Sequence, residues 1–287
     1  MLKKKSHYKR FTRSKIGNIS YFTILILAGA FMLLPLIYCI VTAFKPLDEL
    51  LIFPPRFYVK RPTIKNFLVI PSLLSNLNVP ISRYLFNTLL ITVVSTGLSI
   101  LAGSMAAFAF SKSHLKSRKI LFTIVQLMLL YNAVTLAVPQ YLLFSKTHMI
   151  DTYWVYILPA IPSAVNCFLM KQFLDGSVPD ALLEAARIDG AGVLTMYWKI
   201  VMPILKPAWM TVLLFSFQSM WSTVPGGTIF SEKLKTLPYV MSSVAAGGIA
   251  RSGSAMAITV ILIIPPVLVF LVTQSNVMET MSSSGIK

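Results

Sequence analysis

Apolar residues run along the chain in long blocks, and polar residues gather between them. Six blocks carry no Asp, Glu, Lys or Arg: Ile19–Phe44, Phe86–Phe110, Ile120–Ser145, Thr152–Met170, Pro207–Thr223 and Ala255–Val272. A helix needs about 20 apolar residues to cross the hydrocarbon core of a bilayer. The pattern therefore predicts an all-α polytopic membrane protein with six spans, over 19–44, 86–110, 120–145, 152–170, 207–223 and 255–272. Pro225-Gly226-Gly227 is expected to end the fifth helix. Pro265-Pro266 in the sixth predicts a kink, since membrane helices tolerate proline where neighbours satisfy the freed carbonyls. In the second block Ser99, Gly103 and Ala107 recur every four residues, as do Ala102 and Ala106. Such spacing marks close helix contact. The chain divides into a basic arm (1–18), a six-span domain (19–273) and a tail (274–287).

Composition agrees with this division. Of 287 residues, 56% are hydrophobic and 12% charged, the latter about half the share of a soluble domain. Mean hydropathy is +0.74. A soluble fold, a disordered chain and a disulfide scaffold are excluded. The net charge of +17 needs a cause, and its placement supplies one. Seven Lys/Arg precede Ile19, and four more lie in Ser111–Lys119. Short positive segments stay in the cytoplasm, so six spans put both termini there, in a multi-pass membrane protein. The first block is too long for a cleavable signal peptide and lacks a small-residue cleavage site. The arm can touch anionic lipid. Nucleic-acid binding is not expected, because no reading module accompanies the charge.

The blocks also lack chemistry. They hold no acid, base or His; His7, His114 and His148 lie outside them. This argues against a proton-coupled carrier, more weakly against a sodium-coupled one, and against a membrane-embedded enzyme. No Arg ladder marks a voltage sensor. No GxxxxGK[ST] loop is present, so hydrolysis of ATP by that route falls to a partner. Cys39 and Cys167 sit in apolar runs without metal-ligand spacing. Uncharged polar groups do occur: Gln126, Asn132, Gln140, Asn166 and Gln218, near Tyr131, Phe217 and Trp221. Two readings stand, hydrogen bonding between helices and a solute path. Amides with aromatics suit sugars, which offer hydroxyl rims and C–H faces. Gln218 and Trp221, three apart with Phe217 adjacent, are expected to line one pathway.

Between the fourth and fifth blocks, Pro179–Pro207 reads PDALLEAARIDGAGVLTMYWKIVMPILKP. Leu182, Leu183, Ala186 and Ile188 give one apolar face, and Gly190 and Gly192 break it. Leu194, Tyr197, Trp198 and Val201 start a second. The pattern predicts a helix–turn–helix on the inner membrane surface with Glu184, Arg187 and Asp189 facing water, a shape suited to a groove on a cytosolic partner. Four of the nine acids, Asp175, Asp180, Glu184 and Asp189, cluster here, as a docking site for that partner.

Glu184-Ala185-Ala186, then Gly190, Ile200 and Met202-Pro203, resemble the EAA loop of permease subunits in ATP-binding-cassette (ABC) importers, with Met202 where the family carries Leu. The run Glu184–Ala191, with Phe173 and Pro179 upstream, is similar to the carbohydrate-uptake, maltose-type (MalG-like) branch. So are Thr42–Pro46, Phe53-Pro54-Pro55, Thr63, Asn66-Phe67, Ala106–Lys119 and Ser284–Lys287. Ser222-Thr223 depart from it, standing where sugar permeases often carry an Asn–acidic pair. The resemblance implies a type I ABC importer permease fold in the bacterial cytoplasmic membrane. It implies that Glu184, Ala185, Ala186, Arg187, Asp189 and Gly190 form a coupling helix seated in a dimeric cytoplasmic ATPase. This chain then holds no cofactor; ATP and Mg sit on the ATPase. A second homologous permease subunit and an extracellular solute-binding protein complete the set, the latter touching Val224–Ser254. The cargo implied is a carbohydrate, with an oligosaccharide as the leading class, moved by alternating access. A peptide or amino-acid permease and a stand-alone carrier are the competing readings.

Overall fold

The computed structural model describes residues 15–74, 78–113, 116–131, 133–224 and 226–284. Among the described residues all regular structure is helical. Helix α1 (Lys15–Ala43) leads to three short helices, α2 (Leu47–Leu50), α3 (Lys65–Leu68) and α4 (Ile70–Leu73). Then follow α5 (Ile81–Lys112), α6 (Arg118–Met128), α7 (Ala137–Lys146), α8 (Trp154–Ala160) and α9 (Ala164–Ser177). The loop segment holds α10 (Asp180–Ile188), α11 (Val193–Met196), a wide turn Tyr197–Val201 and α12 (Met202–Ile204). The chain closes with α13 (Lys206–Trp221), α14 (Leu237–Ala245) and α15 (Ser252–Ser284).

Among the described residues, four helical stretches are each long and apolar enough to cross a membrane: Gly17–Ala43, Ile81–Lys112, Trp154–Ser177 and Ile249–Met278. Val193–Ile204 with Lys206–Trp221 adds a fifth if taken together, across a 78° bend. The expected count of six continuous spans is therefore not reached. Block 120–145 is not one helix. After Met128 the amides of Leu129, Leu130 and Tyr131 turn to carbonyls three residues back, the tighter 3₁₀ spacing that ends a helix. Helix α7 restarts with Pro139 in its first turn, where a missing N–H costs no internal bond. Block 207–223 is helical only to Trp221, ahead of the Pro-Gly-Gly expected to stop it. The tail from 274 is not a separate element up to Ser284, because α15 runs through it.

Helix α5 is central and packs on α9 and α13, while α13 packs on α15 and α1 rests against α15. The apolar length of α1 is almost wholly exposed, as for a helix facing lipid. The small-residue spacing does what it predicts. Ser99, Gly103 and Ala107 are buried, and a Cβ on Gly103 would meet Asn166 Cβ of α9 at 3.3 Å.

At the end opposite the loop segment, Asn87 Nδ2 donates to the carbonyls of Lys233 and Lys235, both at 2.8 Å. Tyr153 donates to Asn87 Oδ1 at 2.8 Å. Asp151 accepts from the amides of Phe230 and Ser231 and, at 2.6 Å, from the Ser231 hydroxyl. That hydroxyl, with the two amides, holds the Asp151 carboxyl below the usual carboxylate range. These bonds fix the 226–236 segment, and α14 then packs Leu237, Val240 and Val244 on α15.

Candidate functional site

Helix α10 owes its shape to its sequence. Pro179 precedes it and Asp180 supplies a negative charge in its first turn, where the helix dipole favours one. Leu183 is buried against Leu174, Val178, Met196 and Val201, with Ala186 beside it. Asp189 caps the end, and Gly190 follows at φ +81°, a left-handed conformation that glycine adopts without a Cβ clash. The Gly190 amide bonds the Arg187 carbonyl at 3.0 Å, and the Ala191 amide reaches back to Ala186 at 2.9 Å. This is a Schellman motif, complete with the apolar contact that usually accompanies it, since Ala186 and Ala191 meet the same core.

The result is a rigid corner. Glu184, Ala185, Arg187, Asp189 and Gly190 are exposed, and Ala186 is half-buried. Ile188 is 87% exposed, with Val193, Leu194 and Trp198 exposed on the second limb. Tyr197 turns inward, 2.7 Å from the Ser104 hydroxyl of α5. Pro207, in the first turn of α13, cannot continue the helix before it, and the chain bends there by 78°. The expected helix–turn–helix is thus present and lies steeply across the following helix.

Two of the four clustered acids are committed within the chain. Lys112 Nζ donates to Asp180 Oδ1 and to the Val178 carbonyl, both at 2.7 Å. Lys112 holds the Asp180 carboxyl below the usual range. Asp175 pairs with Lys171 at 2.6 Å and accepts from the Ser111 hydroxyl. Glu184 and Asp189 are the acids left on the exposed corner. The expectation that all four acids serve a partner is corrected by these pairs: Lys171 stands one turn before Asp175 on α9, and Lys112 at the end of α5 reaches the start of α10.

The polar residues of the spans separate into different environments. Asn166 is buried, and its Nδ2 donates to Ser99 of α5 at 2.7 Å and Ser216 of α13 at 2.9 Å. Phe217 and Trp221 are stacked, 5.6 Å between centroids, and both are buried. Trp221 Nε1 donates to the Leu262 carbonyl at 2.8 Å. Gln218 is exposed on another side of α13. The expectation that Gln218, Phe217 and Trp221 line one path is therefore corrected, because the indole is occupied against α15. Gln126 lines a separate cleft with Lys119, Phe122 and Lys171, and Tyr131 is exposed. Asn132 lies outside the described residues.

A cavity of about 340 Å³ opens where α5, α13 and the break between α8 and α9 meet. Ser95, Ser99, Ser163, Asn166, Ser216 and Ser219 line it. A second lobe of about 420 Å³, with Gln140, Tyr141 and Tyr156, shares Pro159, Ala160 and Met220 with the first. Of this cavity the sequence reading had only Asn166 and Gln140. The missed signal is a helical strip of hydroxyls in the second block, Thr88, Thr92, Ser95, Thr96 and Ser99. Among the described residues, no three His, Cys, Asp or Glu side chains gather as metal ligands.

The polygalacturonan/rhamnogalacturonan transport system permease protein YtcP of Bacillus subtilis is 25% identical, over 90% of this chain and 93% of its own length. The melibiose/raffinose/stachyose import permease protein MelC of the same species is 29% identical, over 70% of this chain and 74% of its own. A bacterial ABC transporter involved in the import of the acidic polysaccharide alginate contains a chain that superposes with a TM-score of 0.76. It is 23% identical and covers 92% of this chain and 98% of its own, which bears on the fold alone. Residues 99–281, from the middle of α5 into α15, match the family described as binding-protein-dependent transport system inner membrane component. The chain belongs to that family: it is a multi-pass permease subunit of an ABC importer in the cytoplasmic membrane, a transport subunit and not an enzyme.

Proposed function

We propose that this subunit moves a carbohydrate, with an oligosaccharide as the leading class, by alternating access powered by a partner ATPase. The observation that carries the reading is the rigid exposed corner of α10, Glu184 to Gly190, joined by a 78° bend to a helix that lines the central cavity. Glu184 and Asp189 offer charge to basic groups on a dimeric cytoplasmic ATPase, and Ile188, Val193 and Leu194 offer the apolar anchor such a groove takes. Closure of the ATPase dimer then drives the corner, and α13 carries the displacement to the cavity. ATP and Mg belong to the ATPase, and this chain supplies no ligand to them.

The carbohydrate assignment is supported by relatives whose names give polygalacturonan/rhamnogalacturonan and melibiose/raffinose/stachyose as cargo. A second homologous permease subunit completes the pathway. With α6 and α7 counted together as a broken sixth span, the basic arm keeps the N-terminus in the cytoplasm, the C-terminus lies on the same side, and the segment held by Asn87 and Asp151 faces an extracellular solute-binding protein. The test uses the complete importer in proteoliposomes. Glu184→Ala is expected to weaken ATPase association roughly tenfold, the effect of losing one charge-assisted hydrogen bond. Sugar-stimulated ATP hydrolysis falls with it, while the fold persists because Glu184 is exposed. Unchanged association and uptake would overturn the coupling role.

A further inference from the structure

Helix α5 carries three hydroxyls that are buried and without a hydrogen-bond partner: Thr92, Ser95 and Thr96. They lie within one turn of each other, on one strip of the helix. A hydroxyl in a helix ordinarily bonds a carbonyl of the preceding turn, as Thr88 does with Tyr84 at 2.8 Å. At membrane depth no bulk solvent satisfies the remainder, so unpaired hydroxyls there are costly. Ser95, wholly buried, lines the 340 Å³ cavity. Ser99, one turn further along α5, and Ser216 of α13 accept from Asn166, which leaves their own protons to donate. Ser219 and Phe215 are exposed at the edge of this cavity.

The donor set is neutral throughout. No Lys, Arg or His lines either lobe among the described residues. The second lobe adds an amide, Gln140, and two tyrosines, Tyr141 and Tyr156. Hydroxyls that both donate and accept match the hydroxyl rim of a sugar, and aromatic rings match its C–H face. A carboxylate or sulfonate brought into the same space finds no cation among this chain's described lining residues to offset its lost hydration.

We propose that this cavity is a solute-contact site selective for uncharged saccharides, with the Ser95 hydroxyl completing its hydrogen bonding on a sugar in transit. The proposal rests on the carbohydrate reading above and narrows it. It sets this chain apart from relatives whose names specify polygalacturonan, and from the chain of the alginate importer.

The complete importer, reconstituted with its solute-binding protein, is assayed for ATP-driven uptake of radiolabelled raffinose, maltotriose, arabinotriose and trigalacturonate. The expected result is uptake of at least one neutral trisaccharide in preference to trigalacturonate. Ser95→Ala then lowers that uptake roughly fivefold, the effect of one hydrogen bond, without lowering the Tm of the assembled complex. Removing an unpaired buried hydroxyl does not destabilise a fold, so a purely structural Ser95 would leave transport intact. Ser219→Val, at the exposed edge, is expected to slow the same sugar while the complex assembles normally. Unchanged uptake in both variants, a preference for trigalacturonate, or a loss confined to unassembled Ser95→Ala with normal Ser219→Val would each overturn the proposal. Uptake of none of the four sugars would instead overturn the carbohydrate reading beneath it.

Discussion

Gly190 and Gly192 flank the corner of the coupling loop, yet only one is conformationally required. Gly190 sits at φ +81°, whereas Gly192 sits at φ −71°, which any residue adopts. Nothing lies within 4 Å of a Cβ built on either. The difference is therefore one of backbone alone. Gly190→Ala is expected to cost about 1–2 kcal/mol, the strain of a left-handed L-residue, and to loosen the Ala191–Ala186 bond that closes the corner. Gly192→Ala is expected to cost less. Tm of the purified complex and its affinity for the ATPase measure both. Equal losses at the two positions would mean that the corner does not depend on the Schellman closure. Asn166 teaches a related point. Its sequence position is equally consistent with a solute path and with a helix clasp; the structure shows the clasp, through Ser99 and Ser216, and places the same residue on the wall of the cavity.

Among the elements, those that answer to composition were readable and those that answer to distant partners were not. Helices α1, α5 and α15 fill charge-free blocks, and α10 with its Gly190 stop follows the local apolar pattern. The split of block 120–145 was hidden, because Leu129 to Leu136 are as apolar as the helices around them and only Pro139 hints at a restart. Equally hidden was the tie between α5 and α10, whose partners Lys112 and Asp180 stand 68 residues apart. The two bonds of Lys112 are unequal in weight. Asp180 is exposed and solvent screens its half of the pair. The Val178 carbonyl sits on a buried residue and depends on Lys112 Nζ. Lys112→Met is therefore expected to destabilise the loop by about 1–3 kcal/mol through that orphaned carbonyl, and Asp180→Asn to do so only slightly. Limited proteolysis at 188–193 reads both, and a larger effect from Asp180→Asn would reverse the argument. The depressed Asp180 pKa fixes the pH dependence. Its contribution is present above the unfolded carboxylate value of about 3.9 and fades as pH falls through the lower folded value, so neutral pH leaves the tie intact.

At the scale of the molecule, α13 joins the coupling corner at one end to α15 at the other, and the far joint is made by Trp221. Helix α15 contains Pro265 and Pro266, yet it runs from Ser252 to Ser284. Pro266 has no N–H, so the carbonyl four residues earlier, Leu262, loses its helical donor. Trp221 Nε1 donates to that carbonyl at 2.8 Å. The indole that sequence alone offered as a sugar platform is thus the donor that lets a proline-containing helix persist in lipid. It also fastens the helix that we propose carries motion from the ATPase side. Trp221→Phe keeps the stacking on Phe217 but leaves Leu262 unpaired, an expected cost of about 1–3 kcal/mol. Pro266→Ala restores the backbone N–H to Leu262. The double variant Trp221→Phe/Pro266→Ala should therefore recover most of the Tm lost in Trp221→Phe, an interaction well beyond the additivity of independent sites. Transport would separate joint from helix: if α13 must be fastened to α15 to transmit the stroke, the double variant regains stability but not full uptake. Additive losses in Tm would show that the indole bond and the proline are unrelated.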